Sequence, residues 1–295
     1  MSWLALIGAL AVLLIIDLVL VRGGTMTLRS AAVASAAWIA VALAFFVVLL
    51  ATGGDASSFL AGYLVERSLS LDNVFVFLLV FAAFGLPVAE RLRLLTYGIV
   101  LALVMRAVFI VVGAAALDAV SWLSFVFAAF LIWTGWKMFR QRHDHGSEQQ
   151  VVDRVRRRLP ARMSAGAAAL ISIAVVDVIF AIDSVPAILA ITDDTFIVFA
   201  ANAFALLGLR PLFFLVAEAV DRLYYLKTAL AALLVVIGAK MALAEFVGKL
   251  GPEISLPVIA AILGAGIVAS LLRERRARDT IRPGVEYRAA GLGEK

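Results

Sequence analysis

Runs of about twenty apolar residues recur along this chain, and that repetition limits its folds more than any single motif does. A helix crossing a membrane needs a run of that length, because hydrocarbon offers its backbone no water and every peptide group must bond internally. The runs fall at 3–21, 31–51, 57–84, 93–116, 119–140, 163–191, 195–217, 226–247 and 255–272, so about nine spans are expected in an all-α polytopic membrane protein. Composition agrees, since 64% of the 295 residues are hydrophobic and 16% charged, with a mean hydropathy of +1.06. A soluble domain has about 45–50% apolar and about 25% charged residues, and a single core could not hide this excess. The first run lacks a basic leader and a small-residue cleavage site, and Asp17 interrupts it. It is read as a retained helix, not a signal peptide.

Basic residues mark alternate connections. Arg22 and Arg29 follow the first run, Arg91 and Arg93 precede the fourth, and Arg140 through Arg162 fill the middle of the chain. Arg222 and Lys227 follow the seventh run, and Arg273, Arg275, Arg276 and Arg278 the last. The intervening connections offer Asp55, Asp118, and the pair Asp193 and Asp194, with Lys249 against Glu253 as the weak case. The positive-inside rule then places the N-terminus outside and the C-terminus in the cytoplasm, in a bacterial-type cytoplasmic membrane. On this reading the net charge of +5 is a topology signal beside the lipid bilayer, and no nucleic-acid partner is expected. The chain has no cysteine, which removes disulfides, thiolate metal sites and cysteine nucleophiles together.

The segments divide as an N-terminal two-helix unit (1–56), a three-helix unit (57–140), a basic cytoplasmic linker (141–162), a second three-helix unit (163–247), a last span (248–272) and a basic tail (273–295). His143 and His145 flank Asp144 in the linker, where a solvated segment is a better reading than a metal site. Trp3, Trp38, Trp122 and Tyr224 fit the aromatic belts of a membrane interface.

Three markers recur in the same order. Glu66 with Asp72-Asn73-Val74 is matched by Asp177 with Asp183-Ser184-Val185, the second acid coming six residues after the first in both. Leu103-Val104-Met105-Arg106 is matched by Leu207-Gly208-Leu209-Arg210, and Gly135-Trp136-Lys137-Met138 by Gly238-Ala239-Lys240-Met241. By the charge-based topology the third and sixth spans run in opposite directions. Spans 3–5 and 6–8 are thus expected to be two inverted three-helix repeats plus flanking helices, an architecture that builds a site near the midplane.

Glu66, Asp72, Asp177 and Asp183 all fall inside expected spans, where a carboxylate is costly unless paired or hydrated and is therefore a functional candidate. Six helical residues turn by about 600°, leaving the acids of each pair about 120° apart and about 9 Å along the axis. They share a face only if the helix breaks between them. Ser68, Ser70, Asp72 and Asn73 compete for backbone bonds in the first copy, and Pro186 frees the Ile182 carbonyl in the second. Carboxylates with Asn73, Ser184 and a freed carbonyl form a hard-oxygen set suited to Mn²⁺, Mg²⁺ or Ca²⁺. Arg106 and Arg210 are the counterweight: four acids, one divalent ion and two arginines sum to zero charge. Pro211 is expected to free the Leu207 carbonyl and bend that helix, Asn202 to add an oxygen or a helix–helix hydrogen bond, and Lys240 to pair with an acid. Asp17 lies near a cytoplasmic end, where pairing with arginine is one reading. The glycines of the Gly-x-Lys-Met copies are expected to permit close helix packing.

The stretch Glu66-Arg-Ser-Leu-Ser-Leu-Asp-Asn-Val-Phe-Val-Phe resembles the first acidic motif of the TerC/Alx family of integral membrane proteins, and Asp177-Val-Ile-Phe-Ala-Ile-Asp-Ser-Val-Pro-Ala the second. Asn202-Ala-Phe-Ala-Leu-Leu-Gly-Leu-Arg-Pro-Leu-Phe-Phe and Asp221-Arg-Leu-Tyr-Tyr-Leu-Lys are similar to its further motifs, so the likeness covers about residues 3 to 272. The resemblance implies a manganese exporter, distantly related to LysE-type carriers and historically associated with tellurite resistance. Carried over residue by residue, its motif acids are Glu66, Asp72, Asp177 and Asp183, with Asn73 and Ser184 beside them. The expectation is a secondary transporter, not an enzyme, with Mn²⁺ as cargo and no resident cofactor. A carboxylate taken out of water favours its neutral form, so protons are the expected counter-ion. Two rivals are a scaffold or stress-response protein whose acids are structural, and a carrier of another cation such as Ca²⁺. An intramembrane aspartyl protease would carry a Gly-x-Gly-Asp stretch, which is absent.

Overall fold

The structure, a computed structural model, describes residues 2–20, 27–120, 122–140, 146–160, 162–219, 225–247 and 252–289. Among these residues every regular element is an α-helix. The order is α1 (Trp3–Leu20), α2 (Leu28–Ala51), α3 (Ala56–Ala83), α4 (Val88–Ala119), α5 (Leu123–Arg140), α6 (Gly146–Arg158), α7 (Ala165–Leu189), α8 (Thr195–Leu206), α9 (Leu209–Ala219), α10 (Leu226–Val247) and α11 (Pro252–Ala289).

All nine apolar runs are helical. Five helices (α2, α4, α7, α10 and α11) are long and apolar enough to cross a membrane, and the bent pair α8–α9 makes a sixth. The count of nine rests on α1, α3 and α5 as well, which do not meet that criterion. For α3 the reason is its chemistry: every 18-residue stretch of it holds Glu66, Arg67 and Asp72. On α4, Val104, Val108, Val111 and Val112 are all more than half exposed and fall on one stripe, a surface that belongs against lipid.

Polar residues at the helix starts have a defined use. Asp55 accepts from the Ser58 amide at 3.0 Å, Ser164 from Ala167 at 3.3 Å and Asp194 from Phe196 at 2.9 Å, satisfying amides that the first turn leaves open.

The pairing of helices follows a pattern. The helix α4 packs on α7, α3 on α8, and α5 on α10. Along α4 and α7 the residue numbers rise together: Glu90 lies beside Gly166, Gly98 beside Ile173 and Gly113 beside Leu189, so the two run parallel. A four-residue turn (84–87) joins α3 to α4, and Gly62 of α3 lies against Ile188 of α7, so α3 and α7 run antiparallel. Exchanging α3 with α7, α4 with α8–α9 and α5 with α10 maps these packed pairs onto themselves. The seam between α5 and α10 is reciprocal. A Cβ on Gly135 would lie 2.7 Å from the Ala231 carbonyl oxygen, and one on Gly238 2.9 Å from that of Ala128, so each copy's glycine admits the other helix's backbone.

Several expectations are corrected. Neither acid-bearing helix is broken: α3 is continuous over Ala56–Ala83, and α7 over Ala165–Leu189 with Pro186 inside it. The serines expected to unwind α3 turn inward instead, Ser68 donating to the Leu64 carbonyl at 2.6 Å and Ser70 to Glu66 at 3.0 Å. In hydrocarbon an unwound turn would orphan backbone groups, so the side chains satisfy themselves on the intact helix. The break lies between α8 and α9, a bend of 49° at Leu207–Gly208, in the helix that Pro211 was expected to bend. The linker is not featureless, since α6 packs on α3 and α7 with Val152 buried and the Arg156 guanidinium 5.7 Å from the Phe84 ring centre. The basic tail continues α11 as helix to Ala289. Trp38 is no belt residue: it is buried against Gly208. His143, Asp144, His145, Asp221 and Tyr224 lie outside the described residues.

Candidate functional site

Where α3, α4, α7 and α8 meet, their polar residues are drawn together. Arg106 of α4, the largest of the fully buried side chains described, stands at the centre. Its Nη1 forms an ion pair with Glu66 Oε1 and donates to Asn202 Oδ1 at 2.8 Å and Ser184 Oγ at 3.1 Å. Its Nη2 is 3.9 Å from Asp177 Oδ1. Glu66, Asp177, Ser184 and Asn202 are themselves buried, and Asp177 falls at the midpoint of α7. The centre thus sits deep in the bundle. One guanidinium, with planar donors spread over a fork, can engage the other three helices in a way that a lysine ammonium could not.

The helices explain how these groups arrive. Ser70, one turn beyond Glu66 on α3, donates to Glu66 Oε1 and holds that carboxylate. Asn202 is held by its own helix, its Nδ2 donating to the Val198 carbonyl at 2.9 Å, which turns Oδ1 toward Arg106. The hydrogen-bond accounting does not close. Glu66 Oε2, Asp177 Oδ2, Arg106 Nε and Arg106 Nη2 are buried without a hydrogen-bond partner. Buried polar groups are satisfied in the great majority of cases, and those left over mark a strained or ligand-taking place.

Of the residues expected at the site, Glu66, Asp177, Ser184, Asn202 and Arg106 are brought together. Asn73 is buried on α3. Asp72 and Asp183 occupy helical positions on α3 and α7, and their side chains lie outside the described residues. Among the described residues no group of three or more acids or histidines converges to hold a metal. Two supporting charges are corrected. Arg210, expected beside Arg106, belongs to a separate buried cluster, where it pairs with the Asp17 carboxylate at 3.4 Å, donates to the Asp17 carbonyl at 3.1 Å and bonds to Thr96 Oγ1. Beyond the bend at Gly208, α9 packs on α2 and α3, and from there Arg210 reaches Asp17 of α1, away from the centre. Lys240 donates to Ser255 Oγ at 2.7 Å on α11, and the acid acting on it electrostatically is Asp193, outside the centre. The neutral sum of four acids, one ion and two arginines therefore does not describe this site.

Two contributors escaped the sequence reading. Arg67 Nη1 donates to the carbonyls of Ala205 at 2.9 Å and Leu207 at 3.1 Å, closing the open end of α8 at the bend. Thr96 supports Arg210. An arginine inside an apolar run, directly after an acid, was the available signal for Arg67, but its acceptors lie 138 and 140 residues away.

An all-helical membrane bundle with a buried ionic centre shared by α3, α4, α7 and α8 is the class of protein these features define. Residues 51–278 match the integral membrane protein TerC family, and the chain belongs to that family. It is similar to "Uncharacterized membrane protein STKORF319" of Myxococcus xanthus, 43% identical over 264 residues and 82% of each chain. It is also similar to "Putative membrane-bound redox modulator Alx" of Escherichia coli (strain K12), 37% identical over 293 residues, 88% of this chain and 91% of the other. "Thylakoid membrane protein TERC, chloroplastic" of Arabidopsis thaliana is 38% identical over 237 residues, 74% of this chain and 62% of the other. No solved structure gives a significant match.

Proposed function

We propose that this chain is a secondary transporter, not an enzyme, that exports Mn²⁺ across the cytoplasmic membrane, with the N-terminus outside and the C-terminus inside. The observation that carries this reading is the buried centre itself: two carboxylates from antiparallel helices, each with one oxygen lacking a hydrogen-bond partner, deep in a membrane bundle. Carboxylate, hydroxyl and amide oxygens from Glu66, Asp177, Ser184 and Asn202 form a hard-oxygen set, which suits Mn²⁺ over soft or thiolate-seeking ions. Asp72, Asp183 and Asn73 complete the motif acids and amide. The family supports manganese as the cargo. Rocking of the two helix sets about this centre would alternate its access, and protons are the proposed counter-ion.

Mn²⁺ uptake into everted membrane vesicles tests the proposal, comparing wild type with Asp177→Asn and Asp183→Asn at matched expression. Uptake by wild type that either substitution abolishes supports export through the centre. Equal background uptake from all three sinks it. Collapse of the pH gradient is expected to slow uptake, and an unchanged rate removes protons as the counter-ion.

One observation favours a second reading. Arg106 already pairs with carboxylates from both helix sets, as a structural scaffold would require. That reading predicts variants that lose stability while the cell's metal content stays unchanged. A redox role, as in the name of the Escherichia coli relative, would not run through a cysteine here, because the chain has none.

A further inference from the structure

Arg106 is oddly placed for a residue whose task is only to hold helices together. Its Nη1 is crowded, meeting Glu66 Oε1, Ser184 Oγ and Asn202 Oδ1, three acceptors for two hydrogens. Its Nε and Nη2, with three hydrogens between them, have no hydrogen-bond partner in a fully buried position. The acids are equally unfinished, with Glu66 Oε2 and Asp177 Oδ2 unpartnered. A single guanidinium faces two carboxylates, so the charges of these three groups do not cancel.

The oxygens that would make a site for a hard divalent cation are the ones Arg106 faces. Among the described residues Glu66, Asp177, Ser184 and Asn202 are its partners, and Arg210 does not share the work, because it is engaged with Asp17 and Thr96. A cation entering between Glu66 and Asp177 would meet the guanidinium on the same atoms.

We infer that Arg106 is a tethered counter-cation that competes with the transported ion for Glu66, Asp177, Ser184 and Asn202, so that loading the site requires its guanidinium to let go. This inference rests on the reading that the centre takes a divalent cation. Its consequence is a division of labour. The arginine offsets one of the two carboxylate charges while the carrier resets, leaving the other to the proposed proton, and it lowers affinity for the cargo enough to let the ion leave. An exporter gains from weak binding on the release side, and a built-in competitor supplies it without a second site.

The test is a Mn²⁺ binding titration on the full-length protein purified in detergent, followed by the electron paramagnetic resonance signal of free Mn²⁺. Wild type is compared with Arg106→Gln and Arg106→Lys, and thermal melting reports whether each variant is folded. Removal of the competitor is expected to tighten Mn²⁺ binding about tenfold in Arg106→Gln, the scale of a typical coupling between two ligands. Arg106→Lys, which keeps the charge but cannot reach all four partners, is expected to tighten it about threefold. In vesicles both variants should transport more slowly than wild type despite binding more tightly. Should Arg106→Gln not fold, Arg106→Lys decides alone. Binding that is unchanged or weaker in folded variants, with wild type binding Mn²⁺ normally, overturns the competition and leaves the export proposal standing. Binding by Arg106→Gln where wild type shows none supports competition in its strongest form. No binding by wild type or either variant overturns both.

Discussion

At the scale of single residues, the protein keeps its charged groups by pairing them, and pairs differ in how completely they are made. Removing one partner of a buried ion pair strands the other and costs about 3–5 kcal/mol. Glu66 is in direct contact with Arg106 and also receives Ser70, whereas Asp177 stands 3.9 Å from the guanidinium. Glu66→Gln is therefore expected to lower stability more than Asp177→Asn, as thermal melting in detergent would record. Equal losses would mean that the two carboxylates share Arg106 evenly. At the second cluster, Asp17→Asn and Arg210→Gln are expected to be non-additive by about 0.5–3 kcal/mol in a double-mutant cycle, because each removes the other's partner. Additive losses would show the pair to be uncoupled.

Helices set the next level, where small residues and the sharp bend between α8 and α9 decide how they pack. Gly208 has φ of 77°, and a Cβ there would sit 2.7 Å from Trp38. Gly208→Ala thus meets backbone strain of about 1–3 kcal/mol and must also displace a buried indole. A lower melting temperature with altered tryptophan fluorescence is the expected outcome, and a wild-type melt would argue that the bend is soft. The seam of α5 and α10 offers an internal contrast. Gly135→Val and Gly238→Val push against backbone and are expected to destabilise, whereas Gly264→Ala faces open space and should be near neutral. Melting of all three side by side checks this, and equal effects would rule out close approach as the reason for these glycines. The same scale shows why the expected breaks in α3 and α7 were misplaced. Short polar side chains and a proline weaken a helix in water, where the freed groups find solvent. Inside a bundle Ser68, Ser70 and Ser172 bond within their own helices, and the break falls where Gly208 permits a positive φ and Arg67 donates to the freed carbonyls.

Across the whole molecule, orientation is the property most open to a direct check. Basic connections predict that α6 and the tail face the cytoplasm. The chain has no cysteine of its own, so a single thiol placed by Gln149→Cys on the exposed side of α6 reports from one location. A membrane-impermeant thiol reagent is expected to label it in everted vesicles and not in intact cells. The reverse pattern would invert the topology and, with it, the proposed direction of transport. Because α6 packs on both α3 and α7, it joins the helices that carry the two central acids, so labelling of α6 also reports on the end of the bundle where they are held together.

What the sequence determined by itself follows from local rules. Span positions come from apolar length, the family from its acidic motifs, and the candidate acids from the cost of charge in hydrocarbon. Glu66, Asp177, Arg106, Ser184 and Asn202 were all legible in this way. Partner choice was not, because an arginine inside a membrane must pair with something and nothing local says with what. Only the tertiary structure sends Arg106 to the centre and its repeat counterpart Arg210 to Asp17, through the bend at Gly208 that aims α9 elsewhere. Periodicity and composition act over a few turns of helix. The partners of a buried charge are chosen across 40 to 193 residues of chain, where packing alone decides which side chains meet.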